Sequence, residues 1–196
     1  MNFRKSILLV VISLAILSGY AAAVCVNQRE IAAEVVRLHI RAASDSAEDQ
    51  RLKEEVRDRL LRDFFSEELP SDRAQAVTVL FEGLERIEYL ARDELALQGC
   101  DAEVRAYLTA EYFDTGYYDG FTLPAGKYTA LRVDIGPAEG KNWFCVMYPP
   151  VCMPASGLSP AKAFGRFKMV TREPSKLKIG FKVLEWVGDL KRLLGL

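Results

Sequence analysis

The chain opens with an apolar segment that differs in pattern from everything after it. Residues 7–17 are almost continuously apolar, two basic residues precede them, and small residues follow at 21–23. This order predicts an export signal over residues 1–23, cut after Ala23. Because the apolar run is short for a membrane span, an uncleaved N-terminal anchor is the alternative.

Alternation of apolar and polar positions begins in the segment 31–43. Arg37, His39 and Arg41 fall on one side of it, and apolar residues fall on the other. A period of two predicts a β-strand with one solvent-exposed face.

Helical spacing replaces the alternation from residue 46 onward. Ser46 with Asp49, and later Asp72 with Gln75, are typical of helix starts. Apolar residues then recur every three or four positions, and Gly99 is placed to end the second run. The pattern predicts two antiparallel amphipathic helices.

The alternating pattern returns in three further segments, 104–112, 127–136 and 142–148. The predicted order β-α-α-β-β-β indicates an α+β fold, in which a mostly antiparallel sheet is covered on one face by two helices. We place this domain at 31–153. Residues 154–175, rich in Pro, Ser and Gly, predict a linker or long loop, and 176–196 predict a strand passing into a terminal helix.

Charge narrows the range of partners. Without residues 1–23 the chain has 24 basic and 27 acidic residues. No basic stripe is available to neutralise phosphates, so we expect no nucleic-acid partner. Contact with a membrane is expected only through a retained signal.

Export changes the meaning of the four cysteines, because thiols outside the cytosol can pair. Cys145 and Cys152 flank a Pro-Pro turn and are predicted to form a disulfide; two buried thiols on neighbouring strands are the alternative. Cys25 and Cys100 have no partner evident from the sequence, and we expect them to be unpaired.

A search for catalytic chemistry finds little. His39 is the one histidine, so a nucleophile-base pair would need Cys145 or Cys152 beside it. A disulfide would consume both thiols. The spacing of His and Cys does not fit a zinc site, and no phosphate-binding glycine motif is present. We therefore expect no enzyme activity, metal or cofactor, and keep a secreted Cys/His-dependent hydrolase or envelope-modifying enzyme as the alternative.

Two segments carry a specific resemblance. The sequence RLHIRAASDSAEDQRLK starts at Arg37, and LPAGKY starts at Leu123 in a stretch that runs on to NWFCVMYPPVC, ending at Cys152. Together they resemble the stage II sporulation protein R family over most of residues 35–152. Ala43 stands where that family usually has asparagine, and Phe144 replaces a second tryptophan.

The resemblance implies a signal and not a catalyst. Members of the family are exported into the space between forespore and mother-cell membranes during endospore formation. They are required there to activate a membrane-embedded aspartic protease, which processes the precursor of sporulation sigma factor E. Direct contact with that protease is a hypothesis.

A recognition surface is expected where aromatic rings and turns concentrate, since rigid rings make good binding anchors. The alternative is that the same residues only maintain the fold. The candidate residues are Trp143, Phe144, Tyr148, Pro149, Pro150, Pro124, Gly126, Ser44, Asp45 and Ser46.

Overall fold

The computed structural model of the chain describes residues 3–65, 70, 72–118, 121–151, 185, 186, 189 and 193. The described residues fall into two compact units. The sheet unit comprises those within Ala33–Glu111 and Lys127–Ala163. The N-terminal unit comprises those within Met1–Ala32, Tyr112–Gly126 and Phe164–Leu196.

Four helices and six strands make up the described secondary structure. The helices are α1 (Phe3–Glu34), α2 (Ala47–Asp63), α3 (Arg73–Glu82) and α4 (Leu84–Leu97). The strands are β1 (Val36–Arg41), β2 (Val104–Phe113), β3 (Gly116–Tyr118), β4 (Phe121–Leu123), β5 (Gly126–Ile135) and β6 (Asn142–Tyr148).

The main sheet has the strand order β2-β5-β1-β6. Strand β1 runs parallel to β5 and antiparallel to β6. The Gly136 N–H donates to the Glu103 carbonyl where β5 ends and β2 begins, as antiparallel neighbours would. The predicted α+β class with a mostly antiparallel sheet is confirmed.

One face of the sheet packs against the helices. Leu38 and Ile40 of β1 are fully buried there with Val56 and Leu60 of α2. Burying such a side chain contributes roughly 1.5–3 kcal/mol to the stability of the fold. The predicted cap at Ser46 is confirmed, because its Oγ accepts from the Asp49 N–H at 3.0 Å. Asp72 caps α3 in the same way through the Gln75 N–H.

The second predicted helix is in fact two helices, so the prediction of one continuous helix was wrong. Gly83 separates α3 from α4. A Cβ at this position would lie 2.3 Å from the ring of Phe64, the residue that ends α2, so the glycine allows that ring to pack here. A strand pair, β3 with β4, was also not predicted.

The first strand differs from its prediction in two ways. It begins at Val36, because residues 31–34 complete α1. Its polar side is not exposed to solvent: Arg37 and His39 are 1% and 6% exposed. Alternation correctly indicated a strand, but the exposed face was wrong, because these polar residues are covered by aromatic rings and an ion-pair partner.

Helix α1 passes through the predicted cut site. Its segment Val11–Glu34 is long and apolar enough to cross a membrane, a property that signal sequences share. The predicted linker and most of the predicted C-terminal segment lie outside the described residues; Glu185, Trp186, Asp189 and Leu193 are helical.

Candidate functional site

The corner formed by Ser44, Asp45 and Ser46 holds the start of α2. Ser44 Oγ donates to the Asp49 carboxylate and accepts from the Ser46 N–H at 3.1 Å. The Asp45 carboxylate accepts from the Lys141 N–H at 2.7 Å, which ties the corner to the turn before β6. All three candidate side chains are thus engaged in local folding contacts.

The two candidate residues of the Leu-Pro-Ala-Gly turn, Pro124 and Gly126, are buried in the N-terminal unit. A Cβ on Gly126 would lie 1.9 Å from the Gln28 side-chain nitrogen, so the glycine allows α1 to approach closely. Because both residues are buried, they do not offer an exposed surface.

Trp143 and Phe144 point to opposite faces of β6. Trp143 pairs with Ile40 on the helix side, where it packs against the core and lies 5.4 Å from the Arg57 guanidinium carbon. Phe144 pairs with His39 on the other side and is 39% exposed. Of the two rings, Phe144 is therefore the one placed for contact with a partner.

The end of β6 continues the helix-side packing. Tyr148 pairs with Val36 and packs against the core, the Tyr148–Pro149 peptide bond is cis, and Pro149 and Pro150 are half-buried.

Cys145 is buried in the helix-side core. Cys152 lies outside the described residues, so the predicted disulfide stays a prediction. The thiols of Cys25 and Cys100 are free, as expected.

The face of the sheet opposite the helices carries a connected charged network. His39 Nδ1 donates to the Glu111 carboxylate, and Arg132 Nη1 donates to the other Glu111 oxygen at 3.2 Å. Arg132 Nε also donates to Asp134 at 2.8 Å, and the Tyr107 hydroxyl donates to the second Asp134 oxygen at 2.9 Å. We call these five residues the charged network.

Burial and pairing shift the pKa values of two network members. Burial acts to raise the pKa of Glu111, but the hydrogen bond from His39 and the charges of His39 and Arg132 outweigh it, so this pKa lies below its ordinary value. Burial, followed by the hydrogen bond to Asp134, raises the pKa of Tyr107. Both shifts reinforce the states that these groups ordinarily have at neutral pH, with Glu111 ionised and Tyr107 protonated.

Aromatic rings cover the cationic side of this face. The Arg37 guanidinium carbon lies 5.3 Å from the Tyr128 ring centre and 5.7 Å from that of Phe144. The His39 and Phe144 rings are 4.7 Å apart. Such cation-ring contacts stabilise a buried guanidinium and fix the orientation of the rings.

The geometry separates Cys145 from His39, one of the two cysteine-histidine pairs considered for an enzyme; Cys152 lies outside the described residues. Cys145 pairs with Leu38 on the helix side, whereas His39 lies on the opposite face. Neighbouring residues of a strand point to opposite faces, so Cys145 cannot reach His39 without unpairing β6. Among the side chains that the structure describes, no three His, Cys, Asp or Glu residues converge as metal ligands.

A family model described as stage II sporulation protein R matches residues 32–157. This range contains every described residue of the sheet unit. The chain belongs to the stage II sporulation protein R family. The chain is also 31% identical over 121 residues to "Stage II sporulation protein R" of Bacillus subtilis (strain 168). That alignment covers 61% of this chain and 54% of the relative, so the chain matches about half the length of the relative. No solved structure matches the chain.

The stage II sporulation protein R match confirms the resemblance found in the sequence, and it makes this chain a sporulation protein. Of the charged network, only His39 was considered from the sequence, as a possible catalytic base; the other four residues were not. The sequence did contain a pattern that indicates the network, because β1 and β2 each alternate apolar residues with charged or hydrogen-bonding ones. What the sequence could not supply was the strand order that brings Glu111 to His39.

Proposed function

We propose that this chain is an exported, non-enzymatic signal of endospore formation. It acts in the space between the forespore and mother-cell membranes. There it is required to activate the membrane-embedded aspartic protease that processes the precursor of sporulation sigma factor E. The observation that carries the proposal is the order of the chain: an apolar helix suited to export leads directly into the family domain.

The geometry of the sheet supports a binding role over a catalytic one. His39 donates to Glu111 and lies under the Phe144 ring, so it fills a place in the structure. Cys145 is on the other face of the sheet. These positions oppose a Cys145–His39 pair. The alternative from a different class, a secreted hydrolase or envelope-modifying enzyme, would then need Cys152 with His39, and Cys152 lies outside the described residues.

A complementation experiment tests the proposal. The full chain would be expressed in the forespore of an endospore-forming host that lacks its own family member, and sigma-factor precursor and product would be measured by immunoblot. We expect the full chain to restore processing. We expect a chain without residues 3–23 to accumulate but not restore it. No processing with the stable, exported full chain would contradict the proposal.

His39→Asn separates the two classes of function. Asparagine offers a nitrogen near the position of Nδ1, so it can still donate to Glu111, but it cannot act as an acid or base at neutral pH. We expect this variant to retain processing. If processing disappears while thermal stability and export remain unchanged, the histidine-dependent hydrolase becomes the better explanation.

A further inference from the structure

On the face of the sheet opposite the helices, strands β1 and β6 carry basic side chains but no acidic ones. Strand β1 contributes two arginines to this face, Arg37 and Arg41, and neither strand contains an aspartate or glutamate. Among the strand residues that the structure describes, the carboxylates on this face are Glu111 of β2 and Asp134 of β5. The field on the β6 side of the face therefore favours an anionic partner.

Arg41 is the residue on which this imbalance concentrates. In the backbone register of the sheet, Arg41 lies beside Asp134 on β5 and opposite Asn142 on β6. However, the two Asp134 oxygens already accept from Arg132 and Tyr107. Within the described ranges Arg41 forms no ion pair, and its Nε is buried without a hydrogen-bond partner. An arginine that forms no ion pair can bind a carboxylate from a partner through its accessible guanidinium nitrogens.

Phe144 provides an apolar contact next to this unpaired cation. It lies on the same face, two residues along β6 from the position opposite Arg41, which is the diagonal-neighbour spacing of an antiparallel pair. Its ring is exposed at one side and held at the other by His39 and Arg37. A ring fixed in this way loses little conformational entropy on binding.

We propose that Arg41 and Phe144 form a binding site for an acidic, partly apolar peptide segment of the partner protein. A carboxylate of that segment pairs with the Arg41 guanidinium, whose planar donors suit a two-oxygen acceptor, and an apolar side chain packs on Phe144. Because the partner is the protease of the proposed function, this inference rests on that function, although the site can be tested without it.

The test uses the full chain and a fluorescent synthetic peptide in which glutamate and leucine alternate. The variants are Arg41→Gln, Arg41→Lys and Phe144→Ala. Arg105→Gln is the matched control, because Arg105 is an exposed arginine on the far edge strand that pairs only with Glu103. Circular dichroism and thermal unfolding would establish that each variant folds as the wild type does.

We expect Arg41→Gln and Phe144→Ala to weaken peptide binding by roughly tenfold each, the factor for losing one charged hydrogen bond or one well-packed ring contact. Arg41→Lys restores part of the loss, and Arg105→Gln binds like the wild type. Equal binding by Arg41→Gln and the wild type overturns the proposal, as does an equal loss with Arg105→Gln.

Two further measurements separate a failure of this site from a failure of the proposed function, and peptide binding from lipid binding. If the wild type restores sigma-factor processing and Arg41→Gln restores it equally, the site is wrong and the function stands. If the wild type does not restore processing, the peptide titration alone decides the site. Arg41-dependent binding to phosphatidylglycerol vesicles without Arg41-dependent peptide binding would overturn the peptide assignment.

Discussion

His39 and Glu111 form a hydrogen-bonded pair although 72 positions separate them in the sequence. They sit on β1 and β2, with β5 between them, so their side chains meet across the intervening strand. Arg132 on that strand binds the other Glu111 oxygen. The pair thus connects three strands through side chains, in addition to the backbone hydrogen bonds of the sheet.

We expect Glu111→Gln to lower the free energy of unfolding by about 1–3 kcal/mol at pH 7, because the His39 and Arg132 donors lose a charged acceptor in a part-buried site. The folded pKa of Glu111 lies below its ordinary value of 4.5. Its stabilisation is therefore fully present above about pH 4.5 and is lost as the pH falls through the folded pKa. Urea unfolding at several pH values measures the difference.

The matched control for that substitution is Glu103→Gln. Glu103 pairs with Arg105, and both side chains are largely exposed, so we expect a change below about 0.5 kcal/mol at pH 7. If the gap between wild type and Glu111→Gln stayed constant from pH 7 into acid, the charged pairing would not be its source.

Features that depend on contacts between neighbouring residues could be predicted from the sequence, and features that depend on distant residues could not. The start of α2 was predictable because Ser46 and Asp49 lie within one helical turn. The approach of the Phe64 ring to Gly83 was not, because the two residues lie on different helix ends far apart in the sequence. The burial of Arg37 was likewise hidden, since Tyr128 and Phe144 come from distant parts of the chain.

The same distinction applies to the candidate surface. Family motifs identified Trp143, Phe144 and the Ser44–Ser46 corner together, because a motif does not separate residues that support a fold from those that bind. Strand alternation places the two rings on opposite faces, and the register of β6 against β1 shows which of them faces the helices. The structure therefore divides a single sequence motif into a core residue, Trp143, and an exposed one, Phe144.

Trp143 and Phe144 should differ when each is replaced by alanine. We expect Trp143→Ala to cost about 2–4 kcal/mol, because this half-buried ring packs on the core and on Arg57. We expect Phe144→Ala to cost less than about 1.5 kcal/mol, because its ring is partly exposed. Equilibrium urea unfolding of both variants measures the difference, and equal losses would contradict the assigned faces.

The turn before β6 offers two substitutions with opposite expected signs. Ala138 adopts a φ of 55°, a left-handed conformation that costs an L-residue roughly 1–2 kcal/mol. We expect Ala138→Gly to stabilise the protein by up to about 1 kcal/mol, because relief of that strain exceeds the added entropy of the unfolded chain.

Gly140→Ala in the same turn should destabilise the protein. Its Cβ would lie 2.1 Å from the Ser44 carbonyl oxygen, and a backbone atom cannot move aside as a side chain can. We expect a loss of about 1–3 kcal/mol, the range for overpacking. Thermal unfolding of both variants checks the pair; a shift in the same direction for both would show that the turn has a different conformation.

Thiol counting tests the predicted bond between Cys145 and Cys152. Cys145 is buried in the core on the helix side, so reactivity must be measured after unfolding in denaturant, where burial no longer protects it. The chain has four cysteines. If Cys145 and Cys152 are bonded, a thiol reagent will modify two sites, Cys25 and Cys100, before reduction and all four after it. Mass spectrometry of the exported protein identifies the modified residues. Modification of Cys145 and Cys152 without prior reduction would show instead that both are thiols, and that packing alone shapes the Pro-Pro segment.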